Sequence, residues 1–231
     1  MLYVDIEKRL DRYTLKAKFT CEKASLALFG ASGAGKSMTL KCIAGIATPD
    51  RGVIQLNGIT LFDSEKHIDL SPQKRHVGYL FQDYALFPNM TVQANIEAGM
   101  HRLPKLERHQ KTQELIAQFH LDGLEKRRPE TLSGGEKQRV ALARIIASSP
   151  EVLLLDEPFA SLDTLLKLEL IPSVREIIET FGRETILVSH DIDEVQQLCG
   201  TVVPIADGVT KESENTENYY QILKERYQNL K

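Results

Sequence analysis

The chain has 231 residues, long for one domain and short for two at about 150 residues per domain. Its composition, 42% hydrophobic and 26% charged, is an ordinary globular balance that argues against disorder or a fibre. With 29 basic and 32 acidic side chains the net charge is −3, which excludes the basic excess expected of wholesale electrostatic binding to nucleic acid.

The opening reads as antiparallel β: Leu2, Val4 and Ile6 alternate with polar residues, and Tyr13, Leu15, Ala17 and Phe19 do so after a turn at Asp11-Arg12. Leu26 to Phe29 is a buried strand ending at Gly30. Val53 to Leu56 and Ile59 to Phe62 flank the hairpin signal Asn57-Gly58. A strand over Val77 to Phe81 enters a loop, Gln82 to Met90. Thr91 to about Leu121 is helical in pattern, followed by a helix over Gly135 to Ser148, a strand over Val152 to Leu155 and a long helix over Leu165 to Phe181. A strand over Thr185 to Val188, a helix starting near Asp191, a last strand over Val202 to Ala206 and a peripheral helix within Glu212 to Lys231 complete the reading. The fold class is α/β, with a mostly parallel core, an N-terminal antiparallel β piece and a helical insertion from about 90 to 140.

No stretch approaches the about 18 apolar residues of a membrane span, and the charged first sixteen residues lack the apolar centre of a secretory signal. Cys21, Cys42 and Cys199 form no CxxC. Buried, reduced thiols in a cytosolic protein are the expectation.

Gly30-Ala31-Ser32-Gly33-Ala34-Gly35-Lys36-Ser37 fits G-x-x-x-x-G-K-[ST] between a strand and a helix, the context this motif requires. Its backbone N–H groups can curl around phosphates, aided by the positive end of the helix. Lys36 would reach the β- and γ-phosphates, and Ser37 would give Mg²⁺ a hydroxyl. The strand Val152-Leu153-Leu154-Leu155 delivers Asp156 and Glu157: Asp156 to hold Mg²⁺ through water, Glu157 to act on the attacking water as general base. In Leu132-Ser133-Gly134-Gly135-Glu136-Lys137-Gln138-Arg139 the pair Ser133 and Glu136 forms a capping box. Two adjacent glycines weaken a helix by about 1 kcal/mol each if interior, so bare backbone is needed there. One ATP has no use for two such helix ends from one chain, which points to a second copy.

With LLLDEP downstream, LSGGEKQRVALARI resembles the signature of the ATP-binding subunits of ABC transporters, and residues 1 to about 208 follow that pattern. The resemblance implies an ATP-sandwiched, head-to-tail homodimer in which Ser133, Gly134 and Gly135 contact the γ-phosphate held by the partner. It gives Gln82 the role of the Q-loop glutamine, sensing Mg²⁺ and water and linking to the membrane partner. Ser161-Leu162-Asp163 matches the D-loop, and His190 matches the switch histidine that contacts the γ-phosphate. Met38 stands where the family usually has Ser or Thr against the α-phosphate, so one hydroxyl contact is lost. Tyr13 is the nearest candidate to stack on adenine and also fits as a strand residue. Pro204, with Gly200, marks an edge or an irregular finish of the last strand.

A P-loop kinase would carry neither LSGGEKQR nor the His190 loop, and soluble ABC proteins of translation or DNA repair normally pair two cassettes or insert a coiled coil. A transport ATPase fits best, its membrane domain being separate permease subunits served by an external substrate-binding protein. Such a motor would be cytoplasmic and peripheral on the inner face of the membrane, with no nucleic-acid partner. PQKRHVGYLFQDYALFP together with GASGAGKS is most similar to molybdate importers, which makes molybdate or tungstate the expected cargo and sulfate, iron or polyamine the alternatives. One nucleotide-binding domain is expected over 1–231: a core with the β piece in about 1–82 and 150–231, and the Q-loop with the helical subdomain in about 83–149. No C-terminal regulatory β-domain is expected. The segment Gln82 to Met90, with Phe81, Leu86, Phe87 and Pro88, is apolar enough to dock a membrane partner.

Overall fold

The computed structural model describes residues 1–22, 25–160 and 162–228; Ser161 of the D-loop pattern lies outside them. The strands are β1 (Leu2–Arg9), β2 (Thr14–Cys21), β3 (Ser25–Phe29), β4 (Arg51–Leu56), β5 (Ile59–Asp63), β6 (Ile68–Asp69) and β7 (Val77–Leu80). They continue as β8 (Val152–Asp156), β9 (Glu184–Ser189), β10 (Thr201–Ala206), β11 (Val209–Thr210) and β12 (Glu214–Asn215). The helices are α1 (Lys36–Ala44), α2 (Val92–Ala98), α3 (Lys105–Gln118), α4 (Gly134–Ala147), α5 (Thr164–Phe181), α6 (Ile192–Leu198) and α7 (Thr216–Gln228).

The strands form one curled sheet in the order β6-β5-β4-β1-β2-β11-β10-β3-β9-β8-β7, with β12 on β10. From β6 to β2 it is antiparallel, and Leu15, Ala17, Phe19 and Cys21 of β2 are buried while the residues between them face solvent. From β10 to β7 it is parallel. Here β8 and β9 are buried along their whole length, the unbroken apolar run of a strand covered on both faces. Alternation sends Val152, Leu154, Ile186 and Val188 toward α1 and the antiparallel limb. It sends Leu153, Leu155 and Leu187 toward the helices, with Val140, Ile171 and Val195.

Most expected elements are present, and two expectations change. The helical stretch from Thr91 is two helices, because Pro104 lacks the N–H to continue a helix and stands as the N-cap of α3. Pro204 marks neither an edge nor a strand end: it lies inside β10, paired in parallel to Phe29 of β3. Its carbonyl accepts the Lys211 N–H at 2.8 Å, so its nitrogen faces the same side. There β12 has ended at Val202 and β11 begins at Ile205, and the missing donor falls in that gap. The strands β6, β11 and β12 have two residues each, too few for an alternation to be read.

Candidate functional site

Three neighbouring strands, β3, β9 and β8, and the flanking β7 end at one edge of the sheet, and each releases a candidate residue there. Phe29 pairs with Ser189, Val188 with Asp156, and Leu155 with Leu80. The next residues are therefore Gly30, His190, Glu157 and, past Phe81, Gln82. In open α/β sheets ligands bind at the carboxyl ends of strands.

Gly30 begins the phosphate loop under tight constraint: a Cβ there would lie 2.2 Å from the carbonyl oxygen of Ile205. Gly35 caps α1 at φ 103°, in the left-handed region, which L side chains resist. Ala31, Ser32 and Gly33 form the exposed rim and Ala34 the buried floor. Lys36 is 3% exposed, and its ammonium donates to the carbonyls of Gly30 (2.7 Å) and Ala31 (2.9 Å). Burial lowers its pKa, the response of a desolvated ammonium that gains from an anion beside it. Met38 packs on the core side of α1. Tyr13 lies just before β2; its hydroxyl donates to the Gly33 carbonyl at 2.5 Å and its ring fills the space beside Gly208. It is a clasp on the loop rather than a plain strand residue.

Ser37 Oγ donates to Asp156 Oδ1 at 2.7 Å, and Tyr79 Oη donates to Asp156 Oδ2 at 2.7 Å. Ser37, Asp156 and Gln82 line a cleft of about 460 Å³ together with Lys41, Phe81 and Asp83. A hydroxyl and a carboxylate are hard oxygen donors that fit Mg²⁺, an ion usually held by one or two carboxylates plus phosphates. Among the described residues no cluster of three or more His, Cys, Asp or Glu side chains could hold a metal alone, and Mg²⁺ here would be completed by water and phosphate oxygens.

Glu157 has φ 46°, a left-handed conformation for a side chain with no glycine freedom. Its N–H donates to the Val188 carbonyl at 3.0 Å, which holds it there. Backbone strain of this kind gathers at functional sites. Its carboxylate stands 3.6 Å from His190 Nδ1 and 4.0 Å from Lys36 Nζ. The histidine loop is anchored from behind: Ser189 Oγ donates to Glu194 Oε2 (2.6 Å), and Lys167 of α5 pairs with Glu194 Oε1 (2.8 Å) and Asp191 (3.5 Å).

Gln82 is exposed at the mouth of the cleft. Beyond it Tyr84 and Ala85 both have positive φ, and Arg144 of α4 donates to both carbonyls, at 3.1 and 2.8 Å. The same guanidinium lies 5.0 Å over the Phe87 ring, and the Tyr84 hydroxyl donates to the Pro158 carbonyl at 3.3 Å. Leu86 packs against the helical core instead of facing out. The exposed large apolar side chains of this stretch are Phe81, Phe87 and Met90, and Pro88 is exposed between them.

Ser133 caps α4 with the full capping box: the Glu136 carboxylate accepts the Ser133 N–H at 2.7 Å, and Ser133 Oγ accepts the Glu136 N–H at 3.3 Å. A Cβ at Gly135 would meet Leu170 at 3.0 Å, and one at Gly134 would meet Leu162 at 3.0 Å. The two glycines therefore also let α4 approach α5 and the loop before it, a reason that phosphate contact alone does not supply. Asp163 caps α5, accepting the Leu166 N–H at 3.0 Å.

The family model described as "ABC transporter" matches residues 16–160, a span that holds the phosphate loop, Gln82, the signature and the Asp156-Glu157 pair. The chain belongs to the ABC transporter family. Among its relatives, the molybdenum import ATP-binding protein ModC of Rhodospirillum rubrum is 43% identical over 208 residues, covering 90% of this chain and 56% of that protein. ModC of Paramagnetospirillum magneticum is 40% identical over 208 residues, 90% of this chain and 57% of the relative. The chain thus spans a little over half the length of these curated relatives. Among solved structures, cbiO1 from Clostridium perfringens, part of the ABC transporter complex cbiONQ, has a TM-score of 0.81 at 26% identity, covering 95% of this chain and 90% of that one. The dimeric cassette MJ0796 bound to ADP and Pi has a TM-score of 0.76 at 24% identity over 94% of this chain and 99% of that one, which speaks for the fold alone.

Within this ABC cassette the sequence reading missed the residues that hold others in place. Tyr79 shares a sheet face with Asp156, a hydroxyl in an otherwise apolar strand. Arg144 is a lone charge in the run VALARIIA. Lys167 and Glu194 are separated by 27 residues, so no local pattern joins them.

Proposed function

We propose that this cassette hydrolyses ATP and thereby powers an importer, working as a head-to-tail homodimer on separate membrane permease subunits. The observation that carries this is the convergence at one sheet edge of a buried Lys36, the Ser37–Asp156 pair and the strained Glu157 beside His190. Lys36 and the loop N–H groups bind the β- and γ-phosphates; Tyr13 is our candidate to stack on the adenine. Ser37, Asp156 and Gln82 are the residues that would hold Mg²⁺, which when bound neutralises charge developing between the phosphates. Glu157 takes the proton of the attacking water, and His190 contacts the γ-phosphate. Ser133, Gly134 and Gly135, with Asp163 at the subunit junction, serve the nucleotide of the second copy.

The import substrate we propose is a tetrahedral oxyanion, molybdate or tungstate, delivered by an external binding protein. Its support is the similarity to ModC proteins along 90% of the chain. Among the described residues no helix is long and apolar enough to cross a membrane; we place the cassette on the inner face, held there by its permease. Phe81, Phe87 and Met90 supply the apolar docking surface.

Two measurements test this. Purified protein should hydrolyse ATP, and Lys36→Ala should abolish that; full activity in the variant sinks the phosphate-loop reading. The binding protein that accompanies the copurifying permease should bind molybdate or tungstate in calorimetry, and affinity for sulfate, iron or polyamine instead overturns the cargo.

A further inference from the structure

Asp156 has two carboxylate oxygens, and Ser37 takes only one of them. Oδ1 faces Ser37; Oδ2 accepts a hydrogen bond from Tyr79 at 2.7 Å. The sheet places this donor. Tyr79 of β7 pairs with Leu154 of β8, and Asp156 lies two residues further, so both side chains leave the same face. The Tyr79 ring is half-buried and lies 4.4 Å, centroid to centroid, from the ring of Phe81, tilted by 40°. Phe81 lines the same cleft as Ser37, Asp156 and Gln82.

We propose that Tyr79 is a positioning residue for the metal-holding carboxylate: by binding Oδ2 it fixes the rotation of Asp156 so that Oδ1 alone is presented with Ser37 to the cation. A carboxylate free to rotate would share its hydrogen bond with Ser37 between two oxygens and offer the ion a blurred site. A partner that orients a ligand without touching the metal typically changes metal affinity by about 10- to 100-fold when removed. Phe81 backs the tyrosine from the cleft side, so the apolar surface beside Gln82 is one ring away from Asp156. This inference rests on the ATPase reading above and deepens its metal site.

The test is binding of a fluorescent ATP analogue to the purified chain, without metal and across a Mg²⁺ titration, for wild type, Tyr79→Phe and Phe81→Ala. Tyr79→Phe removes one oxygen and keeps the ring. It should leave metal-free nucleotide affinity unchanged while raising the Mg²⁺ concentration at half-effect by about 10-fold. Turnover should return toward wild type at high Mg²⁺, and Phe81→Ala should shift the midpoint the same way by less. A Tyr79→Phe protein with the wild-type Mg²⁺ midpoint overturns the proposal, and does so even if its melting temperature falls, since that would leave Tyr79 a purely structural role. Wild-type binding that ignores Mg²⁺ altogether would instead sink the metal site itself, and the proposal with it.

Discussion

His190 Nδ1 reaches to within 3.6 Å of the Glu157 carboxylate, the residue with the strained backbone. Each side chain comes from a different strand, and Glu157 is tied to the histidine's strand by its own N–H on Val188. If Glu157 is the base, Glu157→Gln keeps this shape and removes the proton acceptor. Turnover should fall by at least about 10²-fold with nucleotide binding retained, and the trapped protein should elute as a dimer only with ATP. Hydrolysis at the wild-type rate would refute the assignment. Ser133→Arg should abolish that dimer yet spare nucleotide binding by each monomer.

The anchor behind His190 gives a separate prediction. Glu194 is 4% exposed and satisfies both Ser189 and Lys167. Glu194→Leu would take from Ser189 Oγ its 2.6 Å acceptor and leave Lys167 with Asp191 alone, and losing a hydrogen bond to a charged group costs about 1.5–3 kcal/mol. The melting temperature should drop, and at temperatures where the variant is folded kcat should fall with nucleotide affinity unchanged. Unaltered kcat would show that the histidine loop holds itself.

Arg144 makes a claim about mobility. Its fork donates to two consecutive carbonyls of residues in the left-handed region, Tyr84 and Ala85. Arg144→Met should speed hydrogen exchange at the Tyr84 amide, now bonded to the Phe81 carbonyl at 2.9 Å, while leaving strand β7 protected. Arg144→Lys should rescue little, because a point charge cannot reproduce two parallel donors. Equal exchange in all three proteins would refute the clasp.

The capping box predicts a pH dependence. The Ser133 N–H, more than any other contact, holds the Glu136 carboxyl below the usual range, against an opposing effect of burial. A lowered folded pKa contributes stability above the unfolded value, near 4.3, and that stability disappears as pH falls through the folded pKa. Glu136→Gln should therefore flatten part of the acid limb of the stability curve. Identical acid limbs in chemical denaturation would contradict this.

Much of the site was legible in the sequence because its chemistry is local: Gly30 to Ser37, Ser133 to Gly135 and Asp156-Glu157 are each contiguous, and each sits at the end of an apolar strand or the start of a helix. The alternation in β1 and β2 and the unbroken apolar run of β8 carried the fold class. What stayed hidden is contact between distant segments. Lys167 and Glu194 meet only because α5 packs beside α6, and Leu86 reads as exposed until the helical core is assembled against it. Pro204 misled because a proline's position depends on what its nitrogen faces, here the gap between two two-residue strands that have no pattern of their own.

The floor beneath Gly30 is the carbonyl of Ile205, in β10, and the turn after that strand returns through Gly208 to Tyr13 and β2. The phosphate loop begins at Gly30, and its floor is laid about 175 residues later. During synthesis a chain can emerge with every residue of the motif translated and still lack the strand on which the loop rests. Closing contacts across about 175 residues is slow compared with local helix formation, so competence for nucleotide should arrive late and abruptly. A ribosome-stalled chain ending before β10 should not retain ATP, and one carrying β10 and β11 beyond the exit tunnel should.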